Sequence, residues 1–124
     1  MPKITLITRK AYGGAYIAMC SQGLGADYTL AWPQAEIAVM GAEAATAIIH
    51  KSEIDKAEDP AAKEQEKIKE YRELLYNPYV AARMGYINAV IRPRDSRPRI
   101  IAALEALQNK QESRPARKHG NIPM

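Results

Sequence analysis

The sequence predicts a layered α/β fold, and three observations predict it. Runs of strand formers at residues 4–8, 27–32, 36–40 and 86–91 alternate with helical composition at 14–22, 42–50 and 61–76. Glycine or proline marks most changes of period, at Gly13-Gly14, Gly23, Gly25, Pro33, Gly41, Pro60, Pro78, Gly85 and Pro93. Each strand run is short, so the visible strands amount to part of a sheet.

Ile4-Thr5-Leu6-Ile7-Thr8 is β-branched and stops at Arg9-Lys10, giving a strand and then a loop before Gly13-Gly14. With nothing ahead of residue 4 to pair it, this strand has an exposed edge unless another segment supplies a neighbour. From Gly14 to Gln22 a helix is apolar on every side, through Ala15, Tyr16, Ile17, Ala18, Met19 and Cys20, and is expected to be buried. Residues 27–32 and 36–40 form two strands separated by Pro33, and the Ala-rich residues 42–50 a packed helix. Ser52 through Pro60 reads as a polar connection. Residues 63–76 place Ile68, Tyr71, Leu74 and Leu75 on one face, with Glu64–Lys67 and Glu66–Lys69 pairs outside. Asn77-Pro78 ends that helix, residues 79–84 add a turn or two, and Gly85 opens the strand 86–91. Asp95 or Ser96 caps a last helix striped by Ile100, Ala103, Leu104 and Leu107. Beyond Lys110 the chain is basic, contains proline and is expected to be extended.

Composition narrows the function. The 124 residues suffice for one domain, and aromatic content is mostly Tyr with no Phe, which favours Ala-rich packing. Cys20 is the single cysteine, so no intrachain disulfide or cysteine-based zinc site forms, and a reducing cytoplasm fits best. No apolar stretch approaches bilayer length, so direct membrane insertion is not expected. Residues 92–124 carry eight of the 18 basic side chains but three of the 14 acidic ones. The basic character is thus local, no aromatic side chain interleaves those arginines, and nucleic acid is not an expected partner.

Chemistry concentrates at one place. Two glycines between a strand and a helix leave backbone amides facing outward without side-chain obstruction, and the first amides of a helix have no intrahelical acceptor. Such a turn is either structural or an oxyanion hole. Elsewhere signals are thin: His50 and His119 lack ligand-spaced partners, Cys20 reads as a packed thiol, and Glu36 as a strand-end pairing residue or a general base. No phosphate-binding glycine motif occurs.

The run Pro2-Lys3-Ile4-Thr5-Leu6-Ile7-Thr8-Arg9-Lys10-Ala11-Tyr12-Gly13-Gly14-Ala15-Tyr16 resembles the start of the biotin-side segment of acyl-CoA carboxyltransferase subunits. Gly25-Ala26-Asp27, Ala31-Trp32-Pro33, residues 35–41, Asn77-Pro78-Tyr79-Val80-Ala81-Ala82 and Lys118-His119-Gly120-Asn121-Ile122-Pro123 resemble the same family in the same order. That family includes propionyl-CoA carboxylase β subunits, the large transcarboxylase subunit and methylmalonyl-CoA decarboxylase α subunits. The resemblance implies an α/β crotonase-like fold (the ClpP/crotonase type) and a partial domain. Residues 1–110 would be the later part of the C-terminal carboxyltransferase domain, and 111–124 an extended basic tail.

The resemblance further implies transfer of a carboxyl group between carboxybiotin and the α-carbon of a short acyl-CoA, through enolates that bear oxyanions. On this motif the backbone amides of Gly14 and Ala15 form the oxyanion hole, with Gly13, Tyr16 and Ile17 on the substrate side. The implied cofactor is biotin on a partner carrier domain, and a coenzyme A thioester is the substrate. The implied partners are the remainder of the carboxyltransferase subunit, the biotin carboxyl carrier protein, the biotin carboxylase subunit and further copies in a homo-oligomer. A sodium-pump decarboxylase α fragment and a non-catalytic assembly module are the alternatives. Three positions depart from the family's pattern: Ile17 where propionyl-preferring members often have Asp, Ala42 where many have Pro, and Asn88-Ala89 in place of a common Asp-Asp pair.

Overall fold

In the computed structural model, which describes residues 1–113, two small parallel sheets carry six α-helices. Strand β1 (Ile4–Ile7) pairs in parallel with β3 (Tyr28–Ala31), which pairs with β5 (Ala89–Val90). Beside them β2 (Lys10–Tyr12) and β4 (Glu36–Ala38) form a second parallel pair. Parallel neighbours need crossovers, and the helices and turns between strands provide them. The central strand β3 buries Thr29, Leu30 and Ala31 completely, whereas one edge of β1 has no paired strand among the described residues.

The helices are α1 (Gly13–Ala18), α2 (Ala42–Ile49), α3 (Lys51–Ile54), α4 (Pro60–Leu75), α5 (Pro78–Arg83) and α6 (Ser96–Ala106). The starts of α4 and α5 follow from local chemistry. Asp59 accepts from the Ala62 amide and Asn77 from the Val80 amide, both at 3.1 Å, and proline occupies the first helical position of each. Among the described residues no helix is long and apolar enough to cross a membrane.

Several expectations change. Residues 10–12 are a strand rather than a loop: Ala11 turns inward while Lys10 faces solvent, but three residues that pair with 36–38 leave no local periodicity to read. The segment 51–54 forms a helical turn where a polar connection is expected, held by Lys67 reaching Glu53 at 3.6 Å from α4. Pairing in the strand expected at 86–91 contracts to Ala89–Val90. On α4 the ion pairs are Lys63–Glu66 (2.9 Å) and Lys67–Glu70 (3.2 Å), not the predicted pairs, and Leu74 and Leu75 of its apolar face stay exposed. Asp95 is the residue before α6 but makes no side-chain cap, and the Ser96 hydroxyl accepts instead from the Trp32 indole at 2.8 Å. On α6 Leu104 is exposed while Ile100, Ala103 and Leu107 are half-buried. Of the basic tail, residues 114–124 lie outside the described residues. Just before it, Lys110 grips Asp27 at 2.6 Å, holding that carboxyl below its ordinary range and tying the end of the described chain to the start of β3.

The largest correction concerns α1. It ends at Ala18 instead of running to Gln22, and none of its residues is buried. Cys20 lies past its end in the left-handed region, at φ 87°, with its carbonyl accepting from the Thr5 hydroxyl at 2.6 Å. A Cβ there is strained, and glycine is the usual occupant of the position just beyond a helix. Cys20→Gly is therefore expected to stabilise the fold by about 0.5–1 kcal/mol after the added unfolded-chain entropy. A denaturant melt checks this; an unchanged or lower midpoint would show that the half-buried thiol contributes more than the strain costs.

Candidate functional site

The glycine pair sits at the junction of β2 and α1. Gly13 adopts φ +55°, and a Cβ there would stand 2.8 Å from the Val39 carbonyl oxygen, so glycine is demanded twice, by conformation and by space. Gly14 is different: a Cβ on it would meet nothing within 4 Å. Its backbone is open to the space in front of α1. No side chain caps the helix, and its first three amides, those of Gly13, Gly14 and Ala15, have no acceptor within it.

That space is an apolar cleft of about 790 Å³. Gly13, Gly14, Tyr16 and Ile17 line one wall, and Ile37 of β4 with Val39 and Met40, which follow that strand, line another. Helices α2, α4 and α5 close the remaining sides through Ile48, Leu75 and Val80, with Tyr76 and Met84 just past the ends of α4 and α5. Ala15 is exposed but outside this lining. Four of the five residues singled out from sequence thus meet at one cleft. Large apolar side chains at its rim stay open to solvent, Val39 at 79% and Ile48 at 69% of full exposure.

Below the cleft lies an aromatic floor that sequence reasoning missed. Tyr12, immediately before the glycines, donates its hydroxyl hydrogen bond to the Glu36 carboxylate across the β2–β4 pair. Glu36 thereby takes the pairing role rather than standing free as a base. The Tyr12 ring meets Tyr76 edge-on at 5.8 Å between centroids, and Tyr76 meets Tyr71 at 5.6 Å. The Tyr76 hydroxyl donates to the Met40 carbonyl. Ala42 and Ile68 complete this small core. Burial, then the Glu36 bond, holds Tyr12's proton far above the ordinary phenol range, and burial does the same in direction for Tyr16 and Tyr76. All three are neutral at physiological pH, and Tyr12 and Tyr76 are the donors. Only a cluster of tyrosines in an otherwise aromatic-poor chain hinted at them. Cys20 and His50 stand apart from the cleft lining, and His50 pairs with Glu53 at 3.5 Å.

The departures from the family pattern are equally concrete. Ile17 is half open to solvent at the cleft wall, Ala42 is buried at the first position of α2, and Asn88 accepts from the Thr29 amide at 2.7 Å, extending the β3–β5 contact.

The carboxyl transferase domain family matches residues 1–122. The chain is 57% identical to the methylmalonyl-CoA decarboxylase subunit alpha of Propionigenium modestum, spanning all of this chain and 24% of that protein. It is 54% identical, over 99% of its length and 24% of the relative's, to the methylmalonyl-CoA carboxyltransferase 12S subunit of Propionibacterium freudenreichii subsp. shermanii. Among solved structures, a transcarboxylase 12S hexamer crystallised with methylmalonyl-coenzyme A and methylmalonic acid superposes with a TM-score of 0.91 at 54% identity, over the whole chain and 24% of that one. The β subunit of P. aeruginosa geranyl-CoA carboxylase superposes at 0.70 with 26% identity, over 96% of this chain and 23% of its own. The fold is accordingly crotonase-like α/β, as the sequence motifs imply, and the chain spans about a quarter of the length of these relatives.

Proposed function

The chain belongs to the carboxyl transferase domain family, and from that membership we propose that it is the biotin-side part of an acyl-CoA carboxyltransferase. The observation that carries this reading is the β2–α1 junction, where amides without helical acceptors border an apolar cleft. A fused bicyclic urea has the matching chemistry: apolar faces and a carbonyl oxygen that accepts hydrogen bonds. Gly14 and Ala15 are the proposed donors, and Gly13 supplies the tight turn that presents them. Ile17, Val39 and Met40 are open to solvent in this chain, and once the rest of the subunit covers them these walls would exclude water and raise the strength of those hydrogen bonds. Biotin, when bound, supplies the carrier nitrogen for the carboxyl group. This chain's residues stabilise negative charge on oxygen, and no acidic or basic side chain is assigned to the step.

The activity requires the rest of the carboxyltransferase subunit, which contributes the acyl-CoA side, together with a biotin carboxyl carrier protein charged by a biotin carboxylase subunit. Further copies would complete a homo-oligomer. The acyl substrate is a short coenzyme A thioester such as propionyl-CoA or methylmalonyl-CoA. Grafting residues 1–124 in place of the matched quarter of a transcarboxylase 12S subunit tests the reading. Carboxyl transfer from methylmalonyl-CoA to free biotin is expected; an assembled but inactive graft would overturn it.

Ile17 is the proposed selector of acyl length. In the active graft, Ile17→Asp should shift the ratio of kcat/KM values toward propionyl-CoA over longer acyl-CoAs by roughly tenfold, because a carboxylate removes apolar wall that a longer chain needs. An unchanged ratio would leave Ile17 as a packing residue.

A further inference from the structure

We propose that Tyr76 is a positioning residue that fixes the width of the cleft beside the glycine turn, an inference that rests on the biotin-side reading only for its kinetic consequence. The two walls come from separate segments. One is Gly13-Gly14, carried by β2; the other is Val39-Met40, which follows β4. At the Gly13 turn the walls nearly touch, since the Val39 carbonyl occupies the place a Cβ of Gly13 would need. Beyond that point the second wall has left the β2–β4 pairing, which ends at Tyr12 and Ala38.

Tyr76 supplies the missing tie. It is 7% exposed, it sits at the end of α4, and it reaches both segments at once. Its hydroxyl holds the Met40 carbonyl, 36 residues away in sequence, and its ring stacks edge-on against Tyr12, the residue before Gly13. Tyr12 in turn is fastened to Glu36 at the start of β4. The path Glu36–Tyr12–Tyr76–Met40 therefore closes a loop around the base of the cleft. Arg72, one turn earlier on α4, pairs with Glu43 on α2 and braces the same helix close to Tyr76. A rigid base matters here because a cleft of fixed width binds a fused bicyclic ring without first having to order its walls.

Tyr76→Phe removes the hydroxyl and keeps the ring, so the aromatic packing persists. In the 124-residue chain this variant is expected to speed backbone hydrogen exchange in the segment 37–41 and at the first protected amides of α1 by about 3- to 10-fold, the effect of one lost hydrogen bond. Amides of β1, β3 and β5 should stay within about twofold. In the graft, KM for free biotin should rise by about 3- to 10-fold while kcat changes less than about twofold, since no donor is deleted. Tyr12→Phe, which frees Glu36 but leaves the Met40 tie, should change exchange at 37–41 less than Tyr76→Phe does. Uniform faster exchange everywhere, or a lower melting temperature with unchanged exchange at 37–41 and an unchanged KM, would overturn the proposal and leave Tyr76 a packing residue. If the wild-type graft is inactive, the biotin-side reading fails on its own, and the exchange pattern alone decides for or against the tie.

Discussion

An amide-to-ester change that deletes only the Gly14 N–H, made by replacing Gly14 with glycolic acid in a semisynthetic graft, is expected to lower kcat for carboxyl transfer by about 10²–10³-fold. The size follows from the environment. A donor preorganised beside an apolar cleft costs nothing to orient when charge develops, whereas water reorganising around the same oxygen does. The ester is the cleanest probe here, because the Gly14 amide lies in the first turn of α1 and has no helical acceptor, so its removal breaks no hydrogen bond of the fold. Side-chain substitution is blunter. A methyl at Gly14 would project into open space, and any Cβ at Gly13 would collide with Val39. If the ester variant keeps full kcat, the glycine pair is a structural turn, and the oxyanion must be stabilised elsewhere.

The second large effect concerns the isolated chain, which is expected to self-associate rather than sediment as a monomer. Met19 is 81% exposed, and around the cleft Ile17, Val39, Ile48, Ile49, Met84 and Tyr86 also remain open. Covering a large apolar side chain is worth about 1.5–3 kcal/mol, so the set rivals the ~5–15 kcal/mol that holds a typical domain together. Contiguous apolar surface of this kind marks an interaction face. Ile48→Lys should weaken the association, because a charge at the rim opposes burial without touching the buried core. Analytical ultracentrifugation across a concentration series, with a parallel thermal melt, measures both. A monodisperse monomer with a cooperative melt would sink this expectation.

Much of the architecture is legible without tertiary information because its signals are local. Ile4–Ile7 and Tyr28–Ala31 are strands on composition, and the caps at Asp59-Pro60 and Asn77-Pro78 that start α4 and α5 involve only three or four neighbouring residues, although the first reads from sequence as part of a polar connection and the second as a helix stop. The glycine pair is visible for the same reason, and an ordered set of short motifs along the chain is enough to indicate the family. The cleft-lining role of Gly13, Gly14, Tyr16 and Ile17 follows from their nearness to one another in sequence.

Other features exist only once distant segments meet. β2 is a strand because Glu36–Ala38 pairs with it, not because residues 10–12 prefer to be extended, and a three-residue run is too short to show a period. The apolar helix α1 is expected to be buried, yet burial depends on what packs over it, and among the described residues nothing covers it fully. The partner change at Lys67 has the same origin, since it is drawn toward Glu53 as well as Glu70. The aromatic floor is the extreme case: Tyr12 meets Glu36 across 24 residues and Tyr76 meets Met40 across 36. Composition and local pattern determined which strands and helices the chain can form and where its unobstructed amides lie. Only folding decided which side chains hold those amides in place, because a contact between residues far apart in sequence carries no periodicity of its own.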